Sequence, residues 1–97
     1  MVNFEKIKLI IWDLDETFWK GTLSDNNVQI LNENICLIKT LIDNGVMCSI
    51  CSKNDEGQVE KLMKKLKIWD LFVFKSINWS PKGDRVKQII QEILYLM

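Results

Sequence analysis

Asp13 and Asp15 stand two residues apart in the segment Asp13-Leu14-Asp15-Glu16-Thr17, directly after an isoleucine-rich run. In an extended segment such a pair projects to one side, so both carboxylates can address one substrate. One can attack an electrophile while the other moves the proton, with Mg²⁺ keeping the pair from repelling an anionic substrate. A solvated acidic turn or a helix cap uses the same residue types, and these five residues alone leave both readings open. Ser52 closes a second apolar run just before a helix opens near Asn54. A hydroxyl beside a helix N-terminus suits a phosphate, because free N–H groups and the helix dipole both favour an anion there. A capping serine is the plainer use. Lys82 falls in the first turn of a third helical pattern, where the dipole disfavours a cation by a few tenths of a kcal/mol, on the order of the usual surface effect. A phosphoryl group or a phospho-aspartate nearby would explain it, and so would Asp84 or plain solvent.

Other candidates carry less. Cys48 and Cys51 form a C-x-x-C, but an odd separation in a strand sends the two sulfurs to opposite faces, and no second pair completes a zinc site. Trp12 and Trp69 read as core or core-edge aromatics, whereas Trp19 and Trp79 flank the candidate site and either wall a pocket or pack. Lys61, Lys64, Lys65 and Lys67 form a wet helix face.

Strands must present these groups at one edge. Three β-like runs, residues 7–12, 46–51 and 71–74, alternate with three helical patterns, the signature of βαβ units and a parallel sheet. In such a sheet ligands bind beyond the carboxyl ends of the strands, where Asp13 and Ser52 lie. Residues 17–29 read as loop. Asn32 can cap a helix carrying Ile35, Ile38, Leu41 and Ile42 on one face, with Gly45 as its left-handed stop. Asn54 or Asp55 can cap the second helix, which carries Val59, Leu62, Met63 and Leu66. Ser80 and Pro81 open the third, which carries Val86, Ile89, Ile90, Ile93 and Leu94.

Composition sets the outer limits. The 97 residues make one domain, 47% hydrophobic and 27% charged, which excludes a disordered chain. Thirteen basic against thirteen acidic side chains leave no basic surplus to hold nucleic acid. The absence of histidine excludes any mechanism that needs imidazole, and three cysteines without framework spacing fit a reducing cytosol. The apolar run near the start is too short for a signal peptide, and no stretch approaches the roughly 20 apolar residues of a membrane helix. A cytoplasmic location is expected.

Asp13-Leu14-Asp15-Glu16-Thr17, then Ser52, then Lys82, in that order along the chain, resembles the haloacid dehalogenase (HAD) superfamily. More narrowly, Ile11-Trp12-Asp13-Leu14-Asp15-Glu16-Thr17-Phe18-Trp19-Lys20-Gly21-Thr22-Leu23, Ile50-Cys51-Ser52-Lys53-Asn54-Asp55 and Ile77-Asn78-Trp79-Ser80-Pro81-Lys82-Gly83 resemble its FkbH-like branch, subfamily IIIC. The resemblance implies a three-layer, Rossmann-like α/β fold with a parallel sheet. It implies Asp13 as the nucleophile and a Mg²⁺ ligand, and Asp15 as general acid/base that gives its main-chain carbonyl to Mg²⁺. Ser52 matches the hydroxyl that binds the transferring phosphoryl group, and Lys82 the lysine that neutralises the phospho-aspartate. FkbH-like proteins are thought to take a phosphorylated three-carbon acyl donor, load a glyceryl group onto an acyl carrier protein and remove phosphate.

The family pattern continues into a fourth strand with an acidic pair, which does not occur before residue 97, so residues 1–97 are expected to form a partial HAD domain, its N-terminal part. The intervals between Asp15, Ser52 and Lys82 leave no space for a cap domain, so a capless, open site is expected. Without a fourth strand the first strand becomes an exposed edge, a template for pairing. The chain is therefore expected to be marginally stable alone or to associate, most simply as a twofold dimer pairing first strands or packing third helices.

Overall fold

The computed structural model describes residues 9–96, with side chains to residue 92. Three strands, β1 (Leu9–Trp12), β2 (Met47–Ser52) and β3 (Lys75–Ile77), form one sheet in the order β1-β2-β3. Helix α1 (Asn32–Asp43) joins β1 to β2, α2 (Glu56–Lys65) joins β2 to β3, and α3 (Lys82–Leu96) follows. Both pairings are parallel, with Trp12 opposite Ile50 and Ser52 opposite Ile77. Parallel strands need crossovers, which α1 and α2 supply, so all three strands end at the same edge. There Asp13, Lys53 and Asn78 leave the sheet together.

Alternation along β2 divides the core. Cys48 and Ile50 point to the side where Ile38 and Leu41 of α1 and Val59 and Met63 of α2 are buried. Cys51 points to the other side, against Ile89 and Val86 of α3. The result is the expected three-layer α/β arrangement, and among the described residues the core is denser on the α1 and α2 side than on the α3 side. Leu14, Phe18, Trp19 and Phe72 thicken the dense side, where Phe18 meets Trp12, Trp19 and Phe72 edge-on at 5.5, 6.0 and 5.8 Å. Edge contacts of this kind add about 0.5–1.5 kcal/mol each beyond area burial.

Several expected boundaries shift. The first strand is described from Leu9 only, so the expected residues 7 and 8 lie outside the described part. The second runs one residue later than expected, to Ser52. The third differs most: residues 71–74 are not a strand. Trp69–Leu71 is a 3₁₀ turn, Phe72 plugs the core, and Phe74 takes a left-handed φ of 53° that no strand accommodates. The Lys75 ammonium donates to the carbonyls of Trp69 and Phe72 and lies 4.4 Å from the Trp69 ring, which fixes the turn. The run is apolar because it anchors a turn, and pairing begins only at Lys75.

Asn32 is not a cap. It lies within α1, Leu31 occupies the cap position, and no side chain caps that end. Gly45, with φ 80°, closes the helix as expected, its N–H bonded to the Ile42 carbonyl. Asp55, not Asn54, caps α2 by accepting from the Gln58 N–H. On α3, Val86 and Ile89 face the sheet while Ile90 is exposed; the side chains of Ile93 and Leu94 lie outside the described residues. No described helix is long and apolar enough to cross a membrane.

Candidate functional site

The segment after β1 is not a loose loop. Leu14, fully buried, anchors it, and its carbonyl accepts the N–H groups of Thr17, Phe18 and Trp19 at 3.0, 2.9 and 3.3 Å. Glu16 takes a left-handed φ of 59° and donates its N–H to the Gly21 carbonyl at 3.1 Å. A non-glycine residue held there costs of order 1 kcal/mol, which the turn around it must offset. Gly21 has φ 84°, and a Cβ on it would run into the Asn27 carbonyl, so only glycine fits. Lys20 and Gln29 then form an antiparallel bridge, with N···O distances of 3.0 and 2.8 Å. Asn34 of α1 reaches back to the Thr17 and Phe18 carbonyls at 3.3 and 2.9 Å. The acidic segment is thus pinned from several sides.

Its two carboxylates have different surroundings. The Asp13 side chain is 43% exposed; Oδ1 accepts from the Leu14 N–H at 2.8 Å, and Oδ2 pairs with the Lys82 ammonium at 2.9 Å. That pair joins the end of β1 to the start of α3. The Asp15 carboxylate instead accepts three hydrogen bonds: from the Trp19 indole N–H at 2.9 Å, the Leu23 N–H at 3.1 Å and the Asn54 amide at 3.0 Å. Asn54 is buried and also accepts from the Asp55 N–H, so the start of α2 is tied to the acidic segment. Trp19 is a fully buried core residue whose indole N–H orients Asp15, and Trp79 is 62% exposed.

Ser52 is buried at the end of β2. Its carbonyl accepts from the Asn78 N–H at 3.2 Å and the Arg85 guanidinium at 3.3 Å, while Cys51 Sγ lies 4.0 Å from the Lys82 carbonyl. Asp13, Asp15, Ser52 and Lys82 therefore stand on connected segments of one edge. Asp13 touches Lys82 directly, and Asp15 is joined through Asn54 to the turn that follows Ser52. Sequence reasoning missed Arg85 altogether and gave Asn54 only a capping role. Arg85 stands four residues before Ile89, on the apolar stripe of α3, and that spacing is the signal that marks it as inward-facing.

Cys48 and Cys51 lie on opposite faces of the sheet, as their spacing requires. Burial pushes the Cys48 thiol above its ordinary value, outweighing the opposite pull of the neighbouring Trp12 indole. That indole N–H has no hydrogen-bond partner of good geometry among the described residues.

A family model described as haloacid dehalogenase-like hydrolase matches residues 10–93. The chain belongs to the haloacid dehalogenase-like hydrolase family. No curated protein matches significantly. Among solved structures, the HAD-like chain is similar to the N-terminal part of a Bacteroides fragilis protein containing a phosphatase domain, complexed with Mg, with a TM-score of 0.81 and 26% identity. The match covers 90% of this chain and 27% of the other, so this chain spans about a quarter of that one's length.

Proposed function

We propose that this HAD-like domain serves Mg²⁺-dependent phosphoryl chemistry, as a phosphatase or phosphotransferase acting through a phospho-aspartate on Asp13. The observation that carries the reading is the 2.9 Å Lys82–Asp13 pair, which sets a cation against the carboxylate that would take up the phosphoryl group. An Asp13 oxygen attacks phosphorus, the bond to the leaving oxygen breaks, and Asp15 gives that oxygen a proton. Water then attacks phosphorus and returns a proton to Asp15, the bond to Asp13 breaks, and phosphate leaves. Lys82 and Ser52 hold the phosphoryl oxygens through both steps.

Mg²⁺ is held through oxygen by one or two carboxylates and keeps several waters. No group of three or more His, Cys, Asp or Glu side chains gathers among the described residues. The Asp13 carboxylate and the Asp15 main-chain carbonyl, to which no N–H is bonded among the described residues, fit such a sparse site. When bound, the ion would neutralise charge on the phosphoryl group and on Asp13. The test is hydrolysis of p-nitrophenyl phosphate with Mg²⁺ and with EDTA: turnover confined to Mg²⁺ is expected, and equal rates in both contradict the reading.

The finer proposal is an FkbH-like activity, transfer of a glyceryl group from a phosphorylated three-carbon acyl donor to an acyl carrier protein with loss of phosphate. It rests on the three quoted stretches and on the absence of an inserted cap between β1 and α3 among the described residues. Incubation with such donors and a phosphopantetheinylated carrier should raise the carrier's mass. Phosphate release with no loading favours a plain capless phosphatase, a reading supported by the similarity to the phosphatase-containing Bacteroides fragilis structure. No turnover with any phosphate favours a non-catalytic binding module.

A second copy of the chain is the further partner we propose. Among the described residues β1 is bonded on one side only, and its Leu9 and Ile11 are half-buried. Light scattering should show mass rising with concentration; a monodisperse monomer throughout contradicts it.

A further inference from the structure

We propose that Arg85 is a positioning residue, which holds the end of β2 and the turn into Lys82 on one guanidinium. Arg85 is 6% exposed. Nη1 donates to the Ser52 carbonyl at 3.3 Å, the Ser76 carbonyl at 3.0 Å and the Ser76 hydroxyl at 3.2 Å. Nη2 donates to the carbonyls of Asn78 and Ser80 at 3.2 and 2.7 Å, and Nε to that of Pro81 at 3.3 Å. Every nitrogen of the fork is engaged, and every acceptor lies at the end of β2, on β3 or in the turn that delivers Lys82 to Asp13.

Burying a cation is costly unless it is paired. No carboxylate lies within ion-pair distance of Arg85 among the described residues; carbonyl dipoles and one hydroxyl receive it. A helix that needed only to pack on the sheet would do better with an apolar side chain here, as it has at Val86 and Ile89. What the guanidinium supplies and an apolar group cannot is a planar fork that fixes several carbonyls at set angles. Regular pairing of β3 stops at Ile77, and past the Asn78 N–H, which still bonds the Ser52 carbonyl, residues 79–81 have no ladder of their own. Arg85 takes its place and, through the Ser52 carbonyl, ties that turn to the residue expected to bind the phosphoryl group. Lys82 and Ser52 thereby keep a fixed separation.

The hold of Arg85 on residues 78–82 stands on geometry alone, and its kinetic consequence rests on the phosphoryl-transfer reading. Amide hydrogen exchange on the full chain and on Arg85→Met tests the first. Exchange in residues 78–82 and 52–55 should quicken by about tenfold or more, while residues 32–43 change by less than about twofold. Unchanged exchange at 78–82, or an equal rise everywhere, overturns the proposal, since the second outcome marks a general staple. Arg85→Lys, which keeps charge and stem but not the fork, should show the same local pattern to a lesser degree, and decides the matter should Arg85→Met not fold. With p-nitrophenyl phosphate and Mg²⁺, folded Arg85 variants should lose kcat by roughly 10²-fold, the cost of misplacing groups by about an ångström, with a smaller change in KM. A variant loosened at 78–82 that keeps full kcat overturns it too. Absence of turnover in the unsubstituted chain counts against the proposed function, and exchange alone then decides the role of Arg85.

Discussion

Asp13 and Asp15 are two residues apart in one turn, yet the structure treats them as opposites. Asp13 is open to solvent and meets one long side chain, Lys82, across the edge of the sheet. Asp15 is fastened by an indole and a main-chain N–H from the segment that follows it and by a buried amide from the start of α2. A group that must form and break a covalent bond needs room and a compensating charge. A group that hands a proton back and forth needs a fixed direction. The difference in surroundings is thus what the proposed division of labour requires.

That contrast can be broken at either end. Asp13→Asn removes the attacking oxygen and should abolish Mg²⁺-dependent hydrolysis; undiminished activity would end the assignment. Asp15→Asn should slow steady-state turnover by about 10²–10⁴-fold, the usual scale of acid/base assistance, and an unchanged rate would remove Asp15 from the chemistry. Trimming the network around Asp15 should act on stability. Asn54→Ala, which deletes a buried donor and leaves its partners short, should cost about 1–3 kcal/mol in denaturant unfolding. A neutral result would mean that water replaces the amide freely. Lys82→Met should change stability least, by no more than about 1 kcal/mol, because both members of the pair are partly exposed and screened by solvent. A larger loss would show that the pair holds the edge together and is not reserved for an incoming anion.

The sequence made one side of this contrast visible and hid the other. Asp13, Ser52 and Lys82 were legible because each stands where an apolar run ends or a helix begins, and βα alternation alone places such positions at one edge. The dense layer was legible for the same reason: Ile38, Leu41, Val59 and Met63 repeat at helical spacing. The network around Asp15 was not, because Trp19, Leu23 and Asn54 meet it only through a turn built on the left-handed Glu16 and on Gly21, and no periodicity encodes such a path. Residues 71–74 misled by composition, since a turn anchored by Phe72 and a short buried strand have the same apolar content. Arg85 is hidden by its type, since an arginine ordinarily faces solvent, and only its spacing to Ile89 marks it as inward-facing.

The measurement that bears most directly on the division between the two aspartates is a rapid-quench experiment with ³²P-labelled p-nitrophenyl phosphate and Mg²⁺, following label on the protein itself. p-Nitrophenolate leaves without needing a proton, so Asp15→Asn should still become phosphorylated but should lose the label slowly, accumulating phospho-protein behind a burst of nitrophenolate. Asp13→Asn should carry no label at any time. Label on the Asp13→Asn protein, or Asp15→Asn turning over steadily with none, would contradict the assignment of nucleophile to the exposed carboxylate and proton carrier to the fastened one.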